Sequence, residues 1–434
     1  MARALKSNAR VIAARVLGRV LGDSAYAAAA LDAELGRSAE LDARERALAT
    51  ELVYGVLRTE AALEARIREF APRPIKDAST RVHLLIAAYQ ILVLTRVPAF
   101  AAVDAAVSAV REERGEKLAG FANAVLRKLA ASKKPLDVHE AILTSTPAWL
   151  VERLERAVGK EEAFALLSGA RGDDAQSTQV RVQRGRALPE WLEPAAPGRI
   201  SPLARRVERK GDLRALPGYA EGAFVIQDEG SQVIALALGA RPGEKVLDAC
   251  AGRGQKTTLL QEQVGPDGQV LAADLYPKKL AALGEEVARL GLPRVETRAV
   301  DWTRGSADLP DDFDRVLVDA PCSGSGTLAR RPEIKLRLGP EDPARLAELA
   351  SQILRSAASR VRPGGRVVFA VCSVLPEEGE PIVERVRDLL EPAPFDAPEL
   401  SGLLPKSATS FRLLPLQHGS DGYFLASFRV RSSA

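Results

Sequence analysis

Three cysteines, Cys250, Cys322 and Cys372, and the carboxylate of Asp319 are the residues of this 434-residue sequence best placed for covalent chemistry. Each cysteine follows a short apolar run: Lys245-Val-Leu-Asp-Ala-Cys250, Asp314-Arg-Val-Leu-Val-Asp-Ala-Pro-Cys322 and Gly365-Arg-Val-Val-Phe-Ala-Val-Cys372. Such runs read as central strands buried on both faces. Ligands of open α/β sheets bind beyond the carboxyl ends of those strands. A lone cysteine is usually a small buried hydrophobe. With all three at the rim of one sheet, at least one is expected to act as a nucleophile, with Asp319 and Pro321 beside it.

A second constellation points to a ligand. Asp248-Ala-Cys-Ala-Gly-Arg-Gly-Gln-Lys-Thr257 follows the first strand and opens a helix, so its backbone N–H groups can approach a bound molecule. Gly252 and Gly254 permit tight backbone paths. A dinucleotide fingerprint would need glycine at Thr257, and a P-loop would need it at Gln255. Because the 314–319 strand could imitate a Walker B strand, nucleotide hydrolysis stands as a rival reading. Asp274 lies twenty residues past Gly254, where a ribose-binding acid belongs. Asp301, after the third strand, could face an adenine amino group. For both, a helix N-cap is the plainer alternative. An adenosine ligand without a dinucleotide loop fits S-adenosylmethionine best.

The thiols then indicate the acceptor. A thiolate can add to carbon 6 of a pyrimidine, making carbon 5 electron-rich enough to take a methyl group from a sulfonium. Asp319 could support ring N3 during the addition. A second polar group near the adduct, such as Cys322, suits product release. Spacing alone does not order the two cysteines.

These residues need a sheet to hold them, and the chain supplies one late. From about residue 223, strands at 245–248, 268–274, 294–300, 313–318 and 365–371 alternate with helices, after a leading helix at 228–238. Phe411–Leu416 and Gly422–Val430 read as a terminal antiparallel hairpin. The first 133 residues read as all-helical, with helices near 25–35, 42–70, 78–95, 101–113 and 117–131. Asp42 is a plausible N-cap with Glu45 completing a capping box, and Pro98 separates two helices. Residues 134–170 read as a helical linker, with Trp149, Leu150, Leu154 and Val158 on one stripe. Residues 171–225 read as a small α/β or β-rich subdomain, in which Gln179-Val-Arg-Val-Gln183 alternates like a strand. Between Ala175 and Ala215 nine basic residues (Arg181, Arg184, Arg186, Arg199, Arg205, Arg206, Arg209, Lys210 and Arg214) face four acids. This is either a solvated face or a phosphate-tracking surface. The remainder, 226–434, forms the catalytic domain.

Composition sets outer bounds. Charged residues make up 27% and hydrophobic ones 46%, as in a soluble globular protein, and the net charge is only +4. The longest nearly apolar run, Leu84–Leu94, is too short for a membrane span. The N-terminus shows no signal-peptide core. Three cysteines make no disulfide framework, and no Cys-x-x-Cys or His cluster predicts a metal. A reducing, cytoplasmic location without membrane association is expected.

Two resemblances refine this reading. Glu51-Leu-Val-Tyr-Gly-Val-Leu-Arg58, Ala88-Tyr-Gln-Ile-Leu92, Arg96-Val-Pro98 and Phe121-Ala-Asn-Ala-Val-Leu-Arg127 resemble the NusB family of RNA-binding helical bundles. Tyr54 and Leu57 there are expected to serve the core. The 248–257 loop, Val318–Gly326, Arg330-Arg-Pro-Glu-Ile-Lys335, Pro363–Gly365, Cys372–Glu378 and Asp421–Phe424 resemble the Sun/RsmB family of RNA cytosine-5 methyltransferases. The resemblance covers nearly the full chain. It implies a NusB-like bundle, a small basic subdomain and a Rossmann-like class I methyltransferase domain. It implies Cys372 as nucleophile and Cys322 as the cysteine of product release. Cofactor contacts would come from Cys250, Ala251, Gly252, Arg253, Gly254, Gln255 and Lys256, with Asp274, Asp301 and Asp319. The implied substrate is RNA, 16S rRNA first and tRNA as the alternative; an RNA-binding protein with a vestigial catalytic domain is the other class. The chain departs from the family at Gly252, Arg253 and Gln255, which replace Ala, Pro and a second Gly. Gln255 would matter if that position needs φ > 0. Leu336 stands where Trp is frequent, and Val371 where Thr is frequent.

Overall fold

The computed structural model describes residues 8–431 apart from 39, 72, 95, 133, 171–176, 209–210 and 306–307. The chain forms two compact units. One comprises Met1–Arg153, Leu167–Gly169 and Leu328–Leu338; the other comprises Leu154–Leu166, Ala170–Thr327 and Gly339–Ala434.

The first unit is helical: α1 (Ala9–Gly22), α2 (Ala27–Gly36), α3 (Ala43–Arg68), α4 (Ala78–Leu92), α5 (Ala99–Arg114) and α6 (Glu116–Ala131). Apolar positions three and four apart face one core containing Ile12, Val16, Leu52, Leu57, Leu85 and Leu126. Leu57 is buried and Tyr54 packs half-buried against the same core. Asp42 caps α3 through the Glu45 N–H at 2.8 Å. The reciprocal half of the expected capping box is not made, because the Glu45 carboxylate accepts the Ala9 N–H of α1 instead, at 2.6 Å. The expected 42–70 helix bends at Thr59, whose φ of −118° leaves the helical region. Its Oγ1 donates back to the Gly55 carbonyl at 2.8 Å, a bond that bends helices. Gly55 admits the Tyr89 ring, since a Cβ there would lie 2.1 Å from Tyr89 Cζ.

The Arg330–Lys335 motif joins this helical unit. Glu333 accepts the Ala27 N–H at 3.0 Å, Arg58 donates to the Ala329 carbonyl at 2.8 Å, and Lys335 Nζ donates to the Arg58 carbonyl at 2.7 Å. Burial pushes the Lys335 amine down to about 7.

Helices α7 (Val138–Thr144), α8 (Ala148–Val158) and α9 (Lys160–Ser168) follow. On α8, Leu150 and Leu154 are buried and Trp149 and Val158 half-buried, in keeping with the expected stripe.

The second unit holds two sheets. The smaller is antiparallel, in the order β2 (Ala196–Pro197), β3 (Ala204–Val207), β1 (Thr178–Val182), β4 (Phe224–Ile226). It encloses Val180, Leu192, Val207, Leu213 and Phe224. One residue read as part of a basic surface is not on the surface. Arg181 is fully buried; its guanidinium pairs with Glu262 and donates to Gln227 Oε1 at 2.8 Å and Thr258 Oγ1 at 3.0 Å. An arginine whose hydrogen bonds and charge are met inside does not reach a phosphate. Arg184 pairs with Glu399, and Arg209 and Lys210 lie outside the described residues.

After α10 (Glu229–Ala237) come β5 (Lys245–Asp248), α11 (Gln255–Val264), β6 (Gln269–Asp274), α12 (Pro277–Arg289), β7 (Glu296–Ala299) and β8 (Phe313–Asp319). Next are α13 (Asp342–Ala358), β9 (Val361–Val371), α14 (Glu380–Arg385), β10 (Leu390–Pro392), β11 (Ser410–Leu413), α15 (Pro415–His418) and β12 (Tyr423–Val430). The order is β10-β12-β9-β8-β5-β6-β7, with β11 paired to β12. Strands β5 to β9 are mutually parallel, while β12 joins β9 antiparallel and pairs with β11 as the expected hairpin. Alternate residues enter opposite cores: Val246, Val270, Leu317 and Val368 meet α10, α11 and α12, whereas Leu247, Leu271, Val316 and Val367 meet α13. Both faces are covered, which is why these strands read as continuous apolar runs. Because β5 lies between β8 and β6, the crevice at their carboxyl ends is the natural ligand position.

Candidate active site

The turn leaving β5 is shaped by two glycines and one acid. Gly252 has φ +57° with nothing within 4 Å of a notional Cβ, so the backbone there fronts open space. Gly254 has φ +88°, and a Cβ would lie 2.5 Å from Leu283 Cγ. Any side chain there costs both strain and a clash. Gln255 begins α11, and left-handed backbone falls on Gly254 rather than on it, so its replacement of a family glycine needs no φ > 0. Its Nε2 donates to the Ile226 carbonyl at 3.0 Å. Arg253 is exposed and Ala251 buried, the latter donating its N–H to the Ala273 carbonyl at 2.9 Å.

Asp274, at the tip of β6, organises the turn. Its Oδ2 accepts the Gly252 N–H and its Oδ1 the Tyr276 N–H, each at 2.9 Å, with Lys279 Nζ 3.5 Å away. A carboxylate accepts about four hydrogen bonds, so capacity for ribose hydroxyls remains. Asp301 lies two residues past β7 and caps its own turn. It accepts from Thr303 N at 3.1 Å and Thr303 Oγ1 at 2.6 Å, and pairs with Arg304 at 3.2 Å. These Thr303 bonds hold its pKa below the usual carboxylate range. The capping alternative is thus what Asp301 displays.

Around β5 and β8 a charged group is built under the turn. Lys256 Nζ lies 2.7 Å from Asp319 Oδ2. Burial works against its charge, but Asp319 and Asp248 outweigh that and raise its pKa. Asp248, unassigned from the sequence, is buried at the end of β5 and accepts the Thr257 hydroxyl at 2.7 Å. Burial pushes its carboxyl up to about 6, against the Thr257 bond and the Lys256 charge. Cys250 is partly buried, and burial, then Asp248, Asp319 and Asp274, push its thiol well up. A thiol so held is a poor nucleophile.

The other two thiols meet. Strands β8 and β9 are parallel neighbours, with Asp319 opposite Ala370, and both chains turn just beyond that pair. Cys322 Sγ and Cys372 Sγ come to 3.4 Å. The bond to Cys372, together with burial, raises the Cys322 thiol well above its ordinary value. Either sulfur can be the donor in this contact, so the geometry alone does not order the two thiols. Beneath them, Glu378, Ser323, Ser325 and Ser373 form a buried hydrogen-bonded cluster that sequence reasoning passes over. Glu377 and Glu378 look alike in the sequence, and only the second is fully buried.

Residues 235–429 match the family model described as 16S rRNA methyltransferase RsmB/F, and residues 7–131 match the NusB family. The probable ribosomal RNA small subunit methyltransferase B of Bacillus subtilis (strain 168) is 32% identical, over 98% of this chain and 99% of that protein. The chain belongs to the RsmB/F methyltransferase family. The fold of this family member extends to solved structures. The crystal structure of PH0851 matches with a TM-score of 0.82 at 24% identity, over 98% of this chain and all of that one. NSun6 from Pyrococcus horikoshii with SFG matches with a TM-score of 0.57 at 20% identity, over 67% of this chain and all of that one.

Proposed function

We propose that this RsmB/F methyltransferase moves a methyl group from S-adenosylmethionine to carbon 5 of a cytosine in 16S rRNA, through a bond between Cys372 and carbon 6. The observation that carries the reading is the pair of sulfurs at 3.4 Å beside the Lys256–Asp319 ion pair, at the carboxyl ends of β8 and β9. Cytosine carbon 5 is too weak a nucleophile without covalent activation. Two thiols within reach of one base provide for both attack and release.

The residues present fit the methyl donor. The open face at Gly252, the spare acceptor capacity of Asp274 and the acids Asp248 and Asp319 suit an adenosyl ligand bearing a cationic sulfonium. Cys250, Ala251, Gly252, Arg253, Gly254, Gln255 and Lys256, with Asp274, Asp301 and Asp319, are the residues proposed to line its site. Bound there, the donor supplies an electrophilic methyl carbon. SFG, an S-adenosylmethionine analogue, accompanies the NSun6 structure.

The chain's own groups act in sequence. Cys372 sulfur attacks carbon 6, with the positive Lys256 in electrostatic reach. Asp319, when protonated, donates to ring N3 as that nitrogen gathers charge. After carbon 5 has taken the methyl group, its proton leaves with the help of Cys322. The carbon 6–sulfur bond then breaks, its electrons returning to Cys372. The helical segment 1–133 and the small subdomain 171–225 are proposed to hold the RNA, with the reaction in the cytoplasm. Bisulfite sequencing of rRNA and tRNA from cells lacking this protein tests the substrate. Loss of one 5-methylcytosine from 16S rRNA is expected; loss from tRNA alone would replace the rRNA assignment.

A further inference from the structure

Beyond the paired ends of β8 and β9 the two thiol loops are tied to each other: the Gly326 N–H donates to the Cys372 carbonyl at 3.1 Å, and one carboxylate bridges the residues that directly follow the two thiols. Glu378 Oε1 accepts the Ser323 N–H at 2.7 Å, and its Oε2 accepts the hydroxyls of Ser323 and Ser373, each at 2.5 Å. Ser323 follows Cys322 and Ser373 follows Cys372 in the chain. Ser373 Oγ also takes the Leu375 N–H at 3.1 Å and lies 2.9 Å from Ser325 Oγ, which accepts the Val374 N–H at 3.1 Å. Glu378 is 1% exposed, and the three serines are buried. A buried acid spending both oxygens on the residues next to two reactive thiols is costly unless the bonds it receives are needed.

We propose that Glu378 is a positioning residue: by clamping Ser323 to Ser373 it holds Cys322 against Cys372, and product release depends on that spacing. Being buried, it acts through the serines and not on a reacting atom. The proposal rests on the covalent mechanism above for its kinetic consequence, though not for the spacing itself. Losing the clamp leaves the loops joined through Ser325 and Gly326 but loosens the residues next to both sulfurs, and a misplacement of about 1 Å in a reacting group can cost on the order of a hundredfold in rate. The step that suffers is the one needing both sulfurs, so Glu378→Ala should retain attack and slow release.

Two readouts on the full chain test this. Phenylarsine oxide condenses with two adjacent thiols, forming two As–S bonds and releasing water, and mass mapping locates the bridge. The unaltered protein should carry a bridge between Cys322 and Cys372 that resists a monothiol wash. In Glu378→Ala that bridge should be lost, and in single-turnover reactions RNA should accumulate as a covalent complex, with release slowed roughly ten- to a hundredfold. Ser373→Ala, which removes one tie without opening a cavity of that size, should shift both readouts the same way and serves if Glu378→Ala fails to fold. A folded variant that keeps the bridge, or loses it and still releases product at the unaltered rate, overturns the proposal. Failure of both Cys322→Ala and Cys372→Ala to accumulate adduct would instead sink the covalent reading, leaving the arsenical bridge to decide the role of Glu378.

Discussion

At the level of single residues, the site divides its labour by environment. Three cysteines stand at strand ends, and their surroundings separate them: Cys250 lies among acids, while Cys322 and Cys372 face each other at 3.4 Å. Their placement at the strand ends is legible in the sequence; the partition is not, because it depends on which side chains the folded sheet brings alongside. Asp274 shows the same limit. The twenty-residue spacing from Gly254 makes it a candidate ribose acid, yet its two bonds to backbone N–H groups appear only once β5 and β6 are adjacent. Asp274→Ala should therefore weaken S-adenosylmethionine binding by roughly 1.5–3 kcal/mol for each charge-assisted bond removed. Calorimetry on a folded variant checks this, and an unchanged dissociation constant would remove Asp274 from the donor site.

Among the elements, the strands are the most legible in the sequence. Alternate residues of β5, β6, β8 and β9 face two separate cores, so each reads as an unbroken apolar run ending in polar residues. Pairings between distant elements are not legible: Arg181 in β1 counts as surface charge in a linear reading, yet Glu262 of α11 neutralises it in the interior. The turn from β5 into α11 carries a pH-dependent cost. The Asp248 carboxyl rises from 3.8 to about 6 in the fold, mainly through burial. A raised carboxylate pKa gives stability that is full below the unfolded value and is lost as pH climbs through the folded one. Asp248→Asn removes this titration while keeping an acceptor for Thr257. Between pH 4 and 7 the unaltered protein should lose on the order of 2–3 kcal/mol relative to the variant, measured by denaturant unfolding. Parallel pH profiles would show that Asp248 titrates alike in both states.

Over the whole molecule, two compact units emerge, and no helix among the described residues is long and apolar enough to cross a membrane. The helical composition of the first segment is readable from apolar spacing. That residues 328–338 join the helical unit is not, because the bonds of Glu333 and Lys335 to Ala27 and Arg58 span more than 270 positions of sequence. RNA affinity belongs to this scale, since phosphate neutralisation adds up over a surface. Replacing Arg205, Arg206 and Arg209 together with uncharged residues should flatten the salt dependence of RNA binding, by about 0.7 in log–log slope for each single-strand phosphate no longer neutralised. An unchanged slope would make that cluster a solvated face. The central claim, that one thiol bonds the base and the other frees it, is tested most directly on denaturing gels of cysteine variants mixed with substrate RNA and S-adenosylmethionine. Cys372→Ala should yield no methylation and no covalent complex, whereas Cys322→Ala should still attack and methylate but leave RNA attached to the protein. A trapped complex with Cys372→Ala and none with Cys322→Ala would contradict the account and make Cys322 the nucleophile.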